Sequence, residues 1–181
     1  EDGVFIFEDP YLGDVLKKTT FDQIYDEHYF LFSLTSAINL FKSHNMKIFK
    51  VEKQDTHGGS MRYYVTKQDN KKTDISVAKN LEIEKIMQIN NLHTYNNFSE
   101  NCEKFKINFK NFLLNLKDSR KNIAGYAATS KSTTILNYCK LDNNIIDHIY
   151  DTTPIKINKY SPGSHIPIFD HKKLHDKLPD Y

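Results

Sequence analysis

Apolar and polar positions along this 181-residue chain change period repeatedly, and each change marks the border of an element. Val4-Phe5-Ile6-Phe7 is a short continuous apolar run and reads as a buried strand. Glu8-Asp9-Pro10 stops it, because Pro10 has no N–H to give to a ladder. Leu34, Ala37, Ile38, Leu40 and Phe41 recur at helical spacing behind Ser33, an N-cap residue, and His44-Asn45 closes that helix. Ile48, Phe49 and Val51 form a strand, and Met61 to Thr66 form another. Thr56-His57-Gly58-Gly59-Ser60 turns the chain between them, so the pair is expected to be antiparallel.

The pattern then lapses. Gln-Asp-Asn-Lys-Lys-Thr-Asp at 68–74 is polar throughout and reads as a linker. Helices are expected over about 75–91 and 94–119. The second carries Phe98, Cys102, Phe105, Phe109, Phe112, Leu113 and Leu116 at spacings of three and four, the stripe of a core-facing helix. Ile123 to Ala128 is a strand running into a loop of small residues. Ser130 to Cys139 is a helix, Ile145 to Tyr150 a strand ending in Asp151, and Lys172 to Leu178 a short helix. Strand, loop, helix, strand and terminal acid make a Rossmann-like half, so the fold class is α/β in two units.

Composition narrows the function. The chain holds 12 Phe and 11 Tyr, enough to build real cores. With 25 basic and 23 acidic residues the net charge is +2, which is no electrostatic footprint for nucleic acid or for an anionic membrane. Arginine occurs only at Arg62 and Arg120, against a surface otherwise made basic by lysine. Two cysteines, Cys102 and Cys139, are too few for a metal cluster; they could pair as a disulfide but read as reduced thiols of a cytoplasmic protein. No run approaches a membrane span and no signal peptide opens the chain. It lacks an initiator Met, begins almost at once in a strand, and ends at Pro179-Asp180-Tyr181. The expectation is a fragment cut at both ends.

Chemistry concentrates at Tyr25-Asp26-Glu27-His28, where a phenol, two carboxylates and an imidazole stand side by side. On a helix Tyr25 and His28 would share a face. His57-Gly58-Gly59-Ser60 with Arg62 offers close backbone approach and two donors for an anion, or else an ordinary hairpin turn. Gly125-Tyr126-Ala127-Ala128-Thr129-Ser130-Lys131 joins a strand to a helix whose N-terminus, with Lys131, could hold phosphate. Its single glycine counts against a dinucleotide-dependent oxidoreductase. Asp151 at a strand end could bond a ribose hydroxyl. Tyr160-Ser161-Pro162-Gly163 is a rigid turn. His171 and His175 lie one turn apart, without a third metal ligand nearby.

These blocks, in this order, resemble the S-adenosylmethionine-dependent C-methyltransferases of deoxysugar biosynthesis. The match runs through Glu8-Asp9-Pro10-Tyr11-Leu12, Phe21 to His28, His57-Gly58-Gly59-Ser60-x-Arg62, Gly125-Tyr126-Ala127-Ala128-x-x-Lys131 and Pro162-Gly163-x-x-Ile166-Pro167. Ala127, Ser132 and Asn158 stand where that family usually has glycine. The resemblance implies that residues 1–67 are the tail of a class I methyltransferase sheet. It implies that 75–181 form a Rossmann-like C-terminal domain that binds a nucleotide sugar and stops before its last strand. It implies methyl transfer from S-adenosylmethionine to a carbon of a nucleotide-linked keto-deoxysugar, with the cofactor and a zinc-binding domain held upstream. Tyr25, Glu27 and His28 are then catalytic, with His28 a candidate base. Tyr11, His57, Ser60, Arg62, Tyr126, Lys131 and Asp151 then contact substrate. The alternative is a non-catalytic module that binds a nucleotide sugar.

Overall fold

The computed structural model describes residues 3–67, 70–176 and 178–181 and is a mixed α/β chain with two small sheets. It has two compact units. One comprises Glu1–Gln23 with His28–Glu100, the other Ile24–Glu27 with Asn101–Tyr181.

In the first unit β1 (Phe5–Pro10), α1 (Leu12–Lys18), α2 (Leu34–Ser43), β2 (Met46–Gln54), β3 (Ser60–Lys67) and α3 (Ile75–Ile86) follow in order. The strands lie in the order β1-β3-β2, and β3 is antiparallel to both neighbours. β1 and β2 therefore run the same way, with the last strand inserted between them. The central position explains why Met61, Tyr63 and Val65 of β3 are fully buried. They pack with Tyr11, Leu34, Ala37, Ile48, Val51 and Val77. Burial of each Val, Leu, Ile or Met side chain in this core contributes about 1.5–3 kcal/mol.

One expectation is corrected by this unit. The first strand is not buried and does not stop at Phe7. It is an edge strand that leaves Phe5 and Ile6 half exposed, and its pairing runs on through Glu8 and Asp9 to Pro10 opposite Ser60. An edge tolerates proline because its outward N–H has no ladder partner to lose. Tyr25 and His28 do not stand on one helix, so the shared face that a helix would give them is absent. A single 3₁₀ turn spans Phe21–Gln23, and Tyr25 to Glu27 form a bend and turn. Helix α1 has no signal in the sequence pattern. It lacks a side-chain N-cap and is held by burial of Val15 and Leu16. Helix α2 starts as expected at Ser33, whose hydroxyl accepts from Ser36 N while the Ser36 hydroxyl closes the capping box. Asp74 caps α3 by accepting from Ser76 N at 2.8 Å. Of the expected linker at 68–74, Gln68 and Asp69 lie outside the described residues.

α4 (Leu92–Asp118) carries the aromatic stripe. Cys102 and Leu113 are buried, and Phe109 and Leu116 pack on the second core, but Phe105 and Phe112 stay 39% and 52% exposed. The second unit continues with β4 (Ala124–Tyr126), α5 (Ser130–Tyr138), β5 (His148–Asp151) and β6 (Ile168–Asp170). β4, β5 and β6 are adjacent and parallel. β6 follows the Pro/Gly turn without a pattern of its own, because three residues are too few for a visible alternation. The core of this unit is Leu113, Ile123, Leu136, Cys139, Leu141, Ile145, Ile146, Ile149, Ile166 and Ile168. The expected helix at 172–178 is a 3₁₀ segment over His171–His175, and Lys177 lies outside the described residues.

Candidate functional site

Parallel strands leave their carboxyl ends along one edge, where α/β sheets gather ligand-binding loops. In the second unit that edge carries the β4–α5 loop and the long loop after β5. Between them opens a cavity of about 710 Å³. One wall is Ala128, Thr129 and Ser130 at the start of α5, with Thr133, Thr134 and Asn137 from the helix itself. Lys156, Lys159 and Tyr160 form another wall, and Tyr25, Asp26 and Glu27 a third. The segment Ile24–Glu27 belongs to this unit and is tied to α5, since the Thr134 hydroxyl donates to Ile24 O at 3.3 Å.

The start of α5 is built for precision. Thr129 and Ser132 form a capping box, in which Ser132 N donates to Thr129 Oγ1 at 3.1 Å and Thr129 N to Ser132 Oγ at 2.8 Å. Ser132 thus has a local structural duty. Ala127 and Asn158 occupy left-handed backbone, at φ 72° and 61°, as glycines would. The N–H groups of Ser130 and Lys131 precede the first intrahelical acceptor and carry the positive end of the helix dipole.

Asp151 ties together the two loops that bound the cavity. It is 4% exposed and accepts from Ala128 N and Thr153 N, both at 2.7 Å. Lys156 Nζ lies 3.4 Å from its carboxylate and donates to Ala128 O at 2.7 Å. Burial pushes the Asp151 carboxyl up, but the Thr153 and Ala128 donors and Lys156 outweigh it and hold the group down at about 2. Asp151 therefore joins the ends of β4 and β5 and fixes a lysine at the cavity wall. Tyr126, which is 65% exposed, and Lys131 flank this loop, but they do not line the cavity, and neither does Asp151.

The first unit holds the other candidate residues. His28 Nδ1 is 3.0 Å from Gln23 O. The buried Gln23 side chain donates through Nε2 to His57 O, and Lys18 Nζ donates to Gly58 O. His57 is exposed at φ 53°, and Ser60 is buried with its hydroxyl on Thr56 O at 3.2 Å. The Asp9 carboxyl is pushed up by burial and pulled part of the way back by the charge of His28. Arg62 donates to Glu8 Oε2 through Nε at 3.2 Å and Nη2 at 2.9 Å, where β1 and β3 set the two residues opposite each other. Tyr11 is fully buried and donates to Glu84 Oε1 at 3.0 Å, and burial with the Glu84 charge pushes its phenol up. Tyr25 and Glu27 thus share one cavity wall, His28 and His57 meet at Gln23, and Tyr11 and Arg62 are engaged in packing and ion pairing.

Sequence reasoning passed over Lys156 and Lys159, read Tyr160 only as part of a rigid turn, and passed over Asn137. The strand-end rule that drew notice to Asp151 would have found the first three, since they follow it in the same loop.

Residues 55–181 match the family of the C-methyltransferase C-terminal domain. Among curated proteins the chain is similar to the C-methyltransferase NovU of Streptomyces niveus, with 34% identity across 99% of this chain. The matched region is 43% of that protein, so the chain spans less than half the length of this relative. With most of its residues inside the matched region, and with parallel strand ends that open on a ligand-sized cavity, the chain belongs to the C-methyltransferase C-terminal domain family.

Proposed function

We propose that this chain is the C-terminal part of an enzyme that methylates a carbon of a nucleotide-linked keto-deoxysugar. The observation that carries the reading is the cavity in the second unit, which combines Tyr25 and Glu27 with a helix N-terminus and lysines. A nucleotide-linked sugar needs donors for its phosphates and proton-transfer groups for its sugar. The first turn of α5, with Lys156 and Lys159 on the cavity wall, suits the phosphates, and Lys131 flanks the same loop outside the cavity lining. Tyr160 offers a flat face for a base or sugar ring.

In this reading His28 takes the proton from the carbon beside the ketone, and the Tyr25 phenol donates to the oxygen on which charge develops. Glu27 orients its neighbours by hydrogen bonding. His57, Ser60, Arg62, Tyr11, Tyr126 and Asp151 remain candidates for contact or support of the substrate. The first unit corresponds to the tail of a class I methyltransferase sheet, a reading supported by a last strand inserted antiparallel between two others. The second is a Rossmann-like domain.

S-adenosylmethionine would supply the methyl group as an electrophile. The residues of this chain do not fit as its holder. Gly125, the one glycine of the β4–α5 loop region, has a Cβ position 3.1 Å from the Ile149 side chain, so its small size serves strand packing. The sulfonium cofactor, and the zinc of the resemblance, belong to other parts of the whole protein.

The test is steady-state kinetics of the whole enzyme with a nucleotide-linked 4-keto sugar. His28→Ala lowers kcat about 10²–10⁴-fold with little change in KM, as loss of a general base does. Lys131→Ala raises KM and spares kcat. Wild-type turnover in His28→Ala would remove the base from this motif and favour the second reading, a module that only holds the nucleotide sugar. That reading draws on the same cavity, whose lining residues all belong to the second unit.

A further inference from the structure

The turn around Gln23 contains more order than a loop needs. Gln23 ends the 3₁₀ turn, and its N–H donates to Thr20 O at 3.1 Å. Its side chain is 2% exposed and reaches under the His57–Gly58–Gly59 turn to donate to His57 O. Its Oε1 is buried with no hydrogen-bond partner among the described residues. Half of this amide is thus buried unpaired, which destabilises the fold, while its N–H half pins one loop to another.

What that pin secures is the Gln23 carbonyl, which lies 3.0 Å from His28 Nδ1. A carbonyl oxygen can only accept, so Nδ1 must carry the hydrogen of this bond. A neutral imidazole carries one N–H, so the lone pair then sits on Nε2. Free histidine in water prefers the opposite tautomer, with the hydrogen on Nε2.

We propose that Gln23 is a positioning residue that holds His28 as the Nδ1–H tautomer and so makes Nε2 the proton-accepting nitrogen. Its backbone oxygen sets the tautomer. Its side-chain amide, bonded to His57 O, keeps that oxygen in place. The role of His57-Gly58-Gly59 is then to provide an anchored carbonyl for Gln23. The catalytic consequence rests on His28 being the base, as read above, whereas the tautomer does not.

Nitrogen-resolved NMR of the 15N-histidine-labelled protein near neutral pH tests this directly. Wild-type His28 should show a protonated Nδ1 and an unprotonated Nε2. Gln23→Met, which keeps the side-chain length and removes the donor, should shift His28 toward the Nε2–H form while the histidine signals other than those of His28 and His57 stay in place. Gln23→Glu, an isostere that cannot donate as a carboxylate, should do the same. In the whole enzyme either change should lower kcat at least tenfold and leave KM within about twofold. An Nε2–H signal in the wild type would overturn the inference, whether or not the variants fold. So would an unchanged Nδ1–H pattern in both variants. If the tautomer behaves as stated but His28→Ala keeps full turnover, the base assignment falls and the role of Gln23 in setting the tautomer stands.

Discussion

Replacing Asp151 with asparagine tests how the cavity edge is held together. The carboxylate takes two backbone N–H bonds of 2.7 Å and faces Lys156 at 3.4 Å. It is held at about 2. An ordinary aspartate titrates near ~3.9, so the folded state favours the charged form by roughly two pH units, on the order of 2 kcal/mol. The folded value lies below the unfolded one, so this stabilisation is complete above ~4 and is lost as pH falls towards ~2. An asparagine at this position would have a single acceptor oxygen and an NH₂ group turned towards a backbone donor. Asp151→Asn should therefore lower the stability of the second unit by about 2–3 kcal/mol at pH 7. The gap should narrow to less than about half that by pH 2.5, because the wild type loses its own advantage there. Urea unfolding at both pH values, followed through the amide signals of β4, β5 and α5, measures it. Urea is preferable to guanidinium because it leaves charge interactions unscreened. An equal gap at the two pH values, or an asparagine variant as stable as wild type at pH 7, would refute the reasoning.

Two further outcomes follow from the first unit. Glu84, 1% exposed, accepts from Tyr11 Oη, Leu34 N, Thr35 N and Thr35 Oγ1. Glu84→Ala strands these donors and should cost about 3–5 kcal/mol, read from urea unfolding and from lost hydrogen-exchange protection in α2 and α3; a loss below about 1 kcal/mol would contradict the account. At Gly59, φ is 136° and an added Cβ would lie 2.3 Å from Asp14 Oδ2. Gly59→Ala should lower the melting temperature by several degrees, since both the backbone and Asp14 must shift; an unchanged melting curve would count against that strain.

Much of the architecture was open to reading because it rests on local chemistry. Ser33 announced α2, and Ser130 opened α5 where expected, since caps and first turns are set by residues a few positions apart. The antiparallel pair of β2 and β3 followed from two apolar runs around a Gly-Gly turn. Helix α1 and strand β6 escaped because neither carries a cap or a period long enough to see. Tyr25 to His28 stood out for composition, yet composition did not say that the segment is a bend and a turn with no common helix face.

Side-chain types and short spacings were enough to give the α/β class, most element positions, and the motifs that mark a C-methyltransferase C-terminal domain. A linear chain displays both. The folded chain was needed to place β3 between β1 and β2, and to show that Tyr11 is bonded within a core. It was needed as well to join Tyr25 and Glu27 with Lys156, Lys159 and Tyr160 around one cavity. These pairings link residues dozens to more than a hundred positions apart. Strand order and burial choose them, and neither leaves a periodic trace in the residues it brings together.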